Sequence, residues 1–298
     1  MTARACLAAA AAALLLAGCA GSRRDAGLTS EPSIERAFDL LAAAPDGRPL
    51  LKFLRKRPVR FEYSNTAGLC HKFSLKTGAI YLPPEYRASD KVLALAVARA
   101  AEIYRLYVYT GLEEPITEEE EISALLQARL AVELGLGNED FDKVKGPDPI
   151  KASFCAYVLG GASYAMERAR RRALASDPDC QFPLDTVENQ RIWLDKIRKS
   201  ISDDTFYQLM QDRDLLRVKR GTLTMAEAMK NEATLRALPA YEVYRYQRTF
   251  YDTQSDIVAR MEKARAAAIK EDERWRAARR GELEQVREEF SACPLPVD

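Results

Sequence analysis

Leu93-Ala94-Leu95-Ala96-Val97-Ala98-Arg99-Ala100-Ala101 is the stretch on which the fold turns. With its neighbours it sets Leu93, Ala96, Val97, Ala100, Ala101, Tyr104 and Val108 on one stripe at helical spacing. From Asp90 onward every long segment keeps that period. Thr117 with Glu120 reads as a capping box before Ile122, Leu125, Leu126 and Leu130, and Gly135 and Gly137 stop that helix. Asp148 with Pro149 opens another, which carries Phe154, Val158, Ala162, Ala165 and Met166 toward a core. Asp185 with Glu188 caps a third bearing Val187, Leu194, Ile197 and Ile201. Shorter helices are expected over 205–218 and 225–238. After Pro239 a long one runs over 240–290, with no Gly or Pro until Gly281.

On the N-terminal side, 34–43 reads as a helix ended by a Pro and Gly break, and 50–55 as a short helical turn. Residues 59–63, 71–75 and 79–82 read as strands, the last two joined through Lys76-Thr77-Gly78. The expected class is therefore α+β and predominantly α-helical. A small β-meander at about 59–82 packs on a helical domain, and a long helix closes the chain. The division expected is a signal segment 1–18, a tether 19–33, a region 34–145 with the meander, and a helical region 146–298.

The first twenty residues give an address. Arg4 supplies a positive start, the Ala and Leu run from Leu7 to Leu16 is too short to span a membrane, and Leu16-Ala17-Gly18-Cys19 follows. That tetrapeptide resembles the lipobox of bacterial lipoproteins. The resemblance implies cleavage before Cys19 and attachment of diacylglycerol and palmitate at its thiol. Ala20 rather than Asp after the cysteine resembles the outer-membrane sorting class. The expected location is a lipid-anchored cell envelope protein at the outer membrane, facing the periplasm.

Composition narrows the partners. The chain has 298 residues, with 45 Lys and Arg against 44 Asp and Glu, and loss of 1–18 removes only Arg4 from these. So even a balance gives no footprint for nucleic acid. Cys70, Cys155, Cys180 and Cys293 would meet an oxidising compartment. Three pairings can be written, and at least one disulfide is expected. There is no C-x-x-C pair for a zinc ribbon or a thioredoxin-like site.

Gly78-Ala79-Ile80-Tyr81-Leu82-Pro83 followed by the helix from Leu93 to Ala101 resembles the core of a gluzincin-type zinc metallopeptidase. In that family an edge strand precedes a helix with H-E-x-x-H, and a later helix supplies a Glu ligand. Laid on this chain, the two His positions are Val97 and Ala101, the catalytic Glu is Ala98, and the third ligand falls at Glu121. The only histidine in the chain is His71, so the resemblance implies a peptidase-like fold without its metal, its catalytic residues or any cofactor. No G-x-S-x-G, S-x-x-K or Gly-rich phosphate loop replaces them. The expected function is non-catalytic binding or scaffolding in the envelope, with an envelope protein, a peptide or cell-wall glycan as partner. The alternative is an envelope hydrolase that uses carboxylates in place of zinc.

Four further features have a plain structural account beside a functional one. His71 is a candidate base, or a half-exposed strand residue. Glu118 to Glu121 could hold a cation, or simply suit a helix start, and Arg168, Arg170, Arg171 and Arg172 could meet an anionic polymer, or suit a helix end. The aromatic groups Tyr104, Tyr107 and Tyr109, and Tyr241, Tyr244, Tyr246, Phe250 and Tyr251, could line a groove or pack with wet hydroxyls.

Overall fold

The computed structural model of the chain describes residues 27–65, 72–74, 78–112, 116–144, 149–174, 185–201 and 204–293. Cys19, Cys70, His71 and Cys180 lie outside the described residues, as do the signal segment and most of the tether. The fold is predominantly α-helical. In chain order run α1 (Pro32–Ala43), α2 (Gly47–Lys56), β1 (Arg60–Tyr63), β2 (Lys72–Ser74) and β3 (Ala79–Leu82). A 3-10 turn (Pro84–Ala88) then leads into α3 (Asp90–Thr110), α4 (Thr117–Glu133), α5 (Asn138–Asp142), α6 (Pro149–Gly160) and α7 (Ala162–Leu174). After them come α8 (Val187–Ser200), α9 (Asp204–Lys219), α10 (Met225–Arg236), α11 (Pro239–Ala278) and α12 (Arg280–Glu289).

Two compact units divide these elements: Met1–Asp185 with Lys263–Asp298, and Thr186–Glu262. In the first, α4 packs against α3, α6 and α7, and α1 and α2 pack against α3. So α6 and α7, read from the sequence with the C-terminal helical region, belong with the first half of the chain. The stripe on α3 is buried at Leu93, Ala96, Val97, Ala100 and Ala101. Burial extends to Val92, Ala94, Leu95, Ala98 and Glu102 on its other faces, while Val108 is exposed. Ser89 caps this helix, its hydroxyl accepting the Val92 N–H at 3.4 Å.

Helix α4 is enclosed more fully, with 15 of its 17 residues buried, which makes it the central helix of the unit. Its polar side chains must then find partners inside. Gln127 donates to the Leu95 carbonyl at 3.1 Å, and Arg129 reaches Asp46 at 2.5 Å and Glu271 at 3.3 Å.

The three strands form where the apolar alternation placed them, but their order corrects the meander. The sheet runs β1-β3-β2, with β1 parallel to β3 and β2 antiparallel to it. The physical reason lies in β3, whose Ala79, Ile80 and Leu82 are all buried. The most apolar strand takes the centre, where both edges are hydrogen-bonded, and Phe61 of β1 packs edge-on against Phe38 of α1 at 5.5 Å.

Other boundaries also move. The helix expected to run from Pro149 through Met166 is two helices, because Gly161 takes φ +87° and turns the chain between α6 and α7. Thr117 does not form a capping box with Glu120. The cap position is Ile116, the Thr117 N–H goes to the Asp185 carbonyl at 2.9 Å, and its hydroxyl goes to Glu118. Thr186, not Asp185, caps α8, accepting the Asn189 N–H at 3.0 Å. The long final helix is interrupted at Arg279, just before Gly281, where α11 gives way to α12.

A disulfide joins Cys155 of α6 to Cys293, just beyond α12. Beside it Phe141, Phe154 and Phe290 meet with ring centroids 5.0 to 6.0 Å apart. Phe290 is fully buried, and such a ring contributes about 1.5–3 kcal/mol relative to exposure. Cross-link and rings together hold the end of the chain on the first unit.

The second unit holds α8 to α10 and the first part of α11. Val187, Leu194, Ile201, Tyr241, Ile257, Val258 and Met261 are its buried apolar residues among the described ones. Between α9 and α10 the buried Asp214 accepts from Asn231 at 2.8 Å. Apolar side chains such as Leu215, Leu216, Met229 and Tyr246 face solvent.

Candidate ligand-binding cleft

The positions that the metallopeptidase resemblance singles out separate into two groups. Val97, Ala98 and Ala101 have no exposed surface and belong to the main apolar core. They offer no donor atom to a metal, so zinc does not fit these residues. Glu121 is also buried, but its carboxylate forms an ion pair with Arg265 of α11. Burial pushes the Glu121 carboxyl above its ordinary value, and the Arg265 hydrogen bond and charge pull it back.

The other acidic residues at the start of α4 are not a solvated helix end. Glu118 and Glu119 are buried, and Glu120 pairs with Arg99 of α3. The Glu119 carboxyl is pushed up to about 8, mainly by burial and then by the neighbouring Glu120 charge, against a hydrogen bond from the Ile116 backbone. Of the basic group on α7, Arg171 pairs with Glu167 at 2.9 Å along the helix surface. Arg170 faces elsewhere.

Arg170 and Glu121 open onto a cleft of about 790 Å³ within the first unit. One wall is the face of α7 bearing Ser163, Met166, Glu167 and Arg170, which recur at helical spacing. The opposite wall is α11 with Arg265, Ile269, Asp272 and Arg276, and α12 adds Arg280 and Glu284. The two helices run antiparallel. At one end a Cβ on Gly161, just before α7, would come within 3.0 Å of Arg276, and at the other Arg170 acts electrostatically on the Glu121 carboxyl that Arg265 holds.

The floor is a buried polar pair. The Tyr157 hydroxyl donates to Oδ1 of Asp272 at 2.8 Å, and Asp272 has no exposed surface. Its Oδ2 has no hydrogen-bond partner. Burial raises the Asp272 carboxyl, opposed by Tyr157, Arg129 and Arg276, and burial together with Asp272 raises the Tyr157 phenol. Arg276 lies over the Tyr157 ring at 5.3 Å. Arg287 closes one side by donating to the Val158 carbonyl at 3.2 Å, where α6 ends.

Tyr157, Asp272 and Arg276 were not singled out by sequence. The signal that could have found them is Gly160-Gly161, a pair that breaks an apolar helix and lets a guanidinium approach the backbone. The aromatic residues do not form one groove. Tyr104 packs on Phe53 at 5.7 Å in the first unit, while in the second Tyr241 is buried, Tyr246 is exposed, and Phe250 meets Trp193 at 5.7 Å.

Comparison with known proteins adds no relative: no family model, curated protein or solved structure matches this chain.

Proposed function

We propose that this chain is a lipid-anchored protein of the bacterial cell envelope that binds a ligand and performs no peptidase chemistry on it. The anchor rests on Leu16-Ala17-Gly18-Cys19 and its short apolar run. The observation that carries the non-catalytic reading is the complete burial of Val97, Ala98 and Ala101 among core side chains. A hydrolytic zinc keeps three protein ligands and an open position for water, and a sealed apolar face provides neither. The remaining carboxylate, Glu121, is neutralised by Arg265. Binding is favoured because the cleft sets arginines and carboxylates around the apolar side chains of Met166 and Ile269, groups suited to holding a ligand.

Two measurements test this reading. Labelled palmitate should enter the wild type and not Cys19→Ala, which should leave the membrane fraction. Retained label in that variant would remove the anchor. Purified mature protein should hold no stoichiometric zinc, and chelator-sensitive cleavage of peptides would overturn the non-catalytic assignment.

A further inference from the structure

The hairpin that α9 and α10 form in the second unit ends in cations set among exposed apolar side chains. Between Asp214 and Glu227 the chain has no carboxylate, but it has Arg217, Lys219 and Arg220, a net charge of +3. All three cations are exposed. Asp214 itself is buried and accepts from Asn231 of α10 at 2.8 Å, so its charge is taken up between the two helices. Arg217 stands 3.9 Å from it, while Lys219 and Arg220 pair with no carboxylate among the described residues.

The apolar part belongs to the same end. Leu215, Leu216, Met225 and Met229 are each more than half exposed. Lys219 follows Leu215 by four residues and Arg220 follows Leu216 by four, so each leucine shares a helix face with a cation nearer the turn. Met225 and Met229 share a face of α10 in the same way. The turn between the helices holds its own polar backbone groups. The Thr222 N–H and hydroxyl both go to the Arg217 carbonyl, at 2.9 and 3.1 Å. Thr224 caps α10 by accepting the Glu227 N–H at 3.2 Å, and its own N–H goes to the Glu227 carboxylate at 2.9 Å. Backbone bonded in this way can enter a less polar layer at low cost.

We propose that this hairpin end docks on the surface of an anionic phospholipid bilayer. Leu215, Leu216, Met225 and Met229 enter the headgroup boundary, and Arg217, Lys219 and Arg220 meet the phosphates. Only such a layer takes both kinds of side chain at once, because the charges stay at the phosphates while the apolar groups leave water. A second copy of the chain would set this positive end against an identical one across a two-fold interface. A nucleic acid would engage the cations and leave the leucines and methionines in water. The inference goes beyond ligand binding and takes from the anchor reading only the nearness of a membrane.

Cosedimentation of the full mature chain, carrying no acyl group, with lipid vesicles tests this. Vesicles of phosphatidylcholine with about one third phosphatidylglycerol should bind it at least about tenfold more tightly than phosphatidylcholine alone at physiological ionic strength. Each cation near an anionic surface strengthens binding about fivefold, so Lys219→Glu with Arg220→Glu should weaken it about twentyfold or more. Leu215→Ser with Leu216→Ser, folded by circular dichroism, should weaken it about tenfold. Equal binding to the two kinds of vesicle, no binding by the folded wild type, or unchanged binding in either double variant would each overturn the proposal. So would vesicle binding that survives the leucine change and yields to duplex DNA, which would make the end a site for any polyanion. Palmitate incorporation at Cys19 without vesicle binding by the unacylated chain would sink docking and leave the anchor. Vesicle binding without that incorporation would support docking and sink the anchor.

Discussion

Tyr157 and Asp272 are 115 positions apart in sequence, yet the phenol donates to the carboxylate at 2.8 Å and is its sole hydrogen-bond donor among the described residues. Removing the hydroxyl in Tyr157→Phe would leave a fully buried carboxyl with neither oxygen bonded. The expected loss is about 1–3 kcal/mol in urea unfolding. In an Asp272→Asn background the same change should cost less, since no carboxylate remains to be orphaned. Equal costs in the two backgrounds would show that the pair contributes nothing of its own.

Stability should depend on pH through Glu119. Its folded value of about 8 lies above the ordinary 4.5, so the folded protein binds this proton more tightly than the unfolded chain. The contribution is fully present below about pH 4.5 and is lost as pH rises through about 8. Glu119→Gln should flatten that slope and gain stability relative to wild type at pH 9. Parallel pH profiles of the two proteins between 5 and 9 would exclude Glu119 as the source.

The Cys155 to Cys293 link closes 138 residues of chain and should contribute about 2–4 kcal/mol. Reductant, or Cys293→Ser, should lower the urea midpoint of the mature protein. Peptide mapping without reductant should recover the two cysteines in one cross-linked fragment, and recovery of both as free thiols would contradict the assignment.

Gly47 stands where a side chain has no room, because a Cβ would lie 2.2 Å from the Leu41 carbonyl oxygen. The obstacle is backbone of α1, which cannot rotate aside. Gly47→Ala should therefore destabilise by roughly 2 kcal/mol or more, forcing α1 and α2 apart. A thermal midpoint within a degree of wild type would mean that the two helices yield at no cost.

Much of the architecture was written locally. The stripe on α3, the apolar alternation of β3, the proline at the start of α6 and the glycine at 135 each act within a few residues, so helices and strands could be placed from the sequence. Where an element depended on a distant partner, local reading failed. Thr117 has the sequence of a capping residue, but its N–H belongs to the Asp185 carbonyl, a partner far away in the chain that no local pattern announces. The sheet order followed the same logic, since burial of β3 rather than chain order decided which strand took the centre.

The candidate site divides along that line. By itself the sequence determined that the two histidines of the metallopeptidase motif are missing, because the chain holds the single His71. It also set the expectation of a lipid-bearing Cys19. Only tertiary structure brought Tyr157, Gly161, Asp272 and Arg276 to one cleft, and only it gave Glu121 to Arg265, 144 positions away. The physical reason is the range of the forces involved. Helix propensity and capping act within a turn of chain, whereas a buried carboxylate takes whichever donor or cation the packing of remote helices delivers to it.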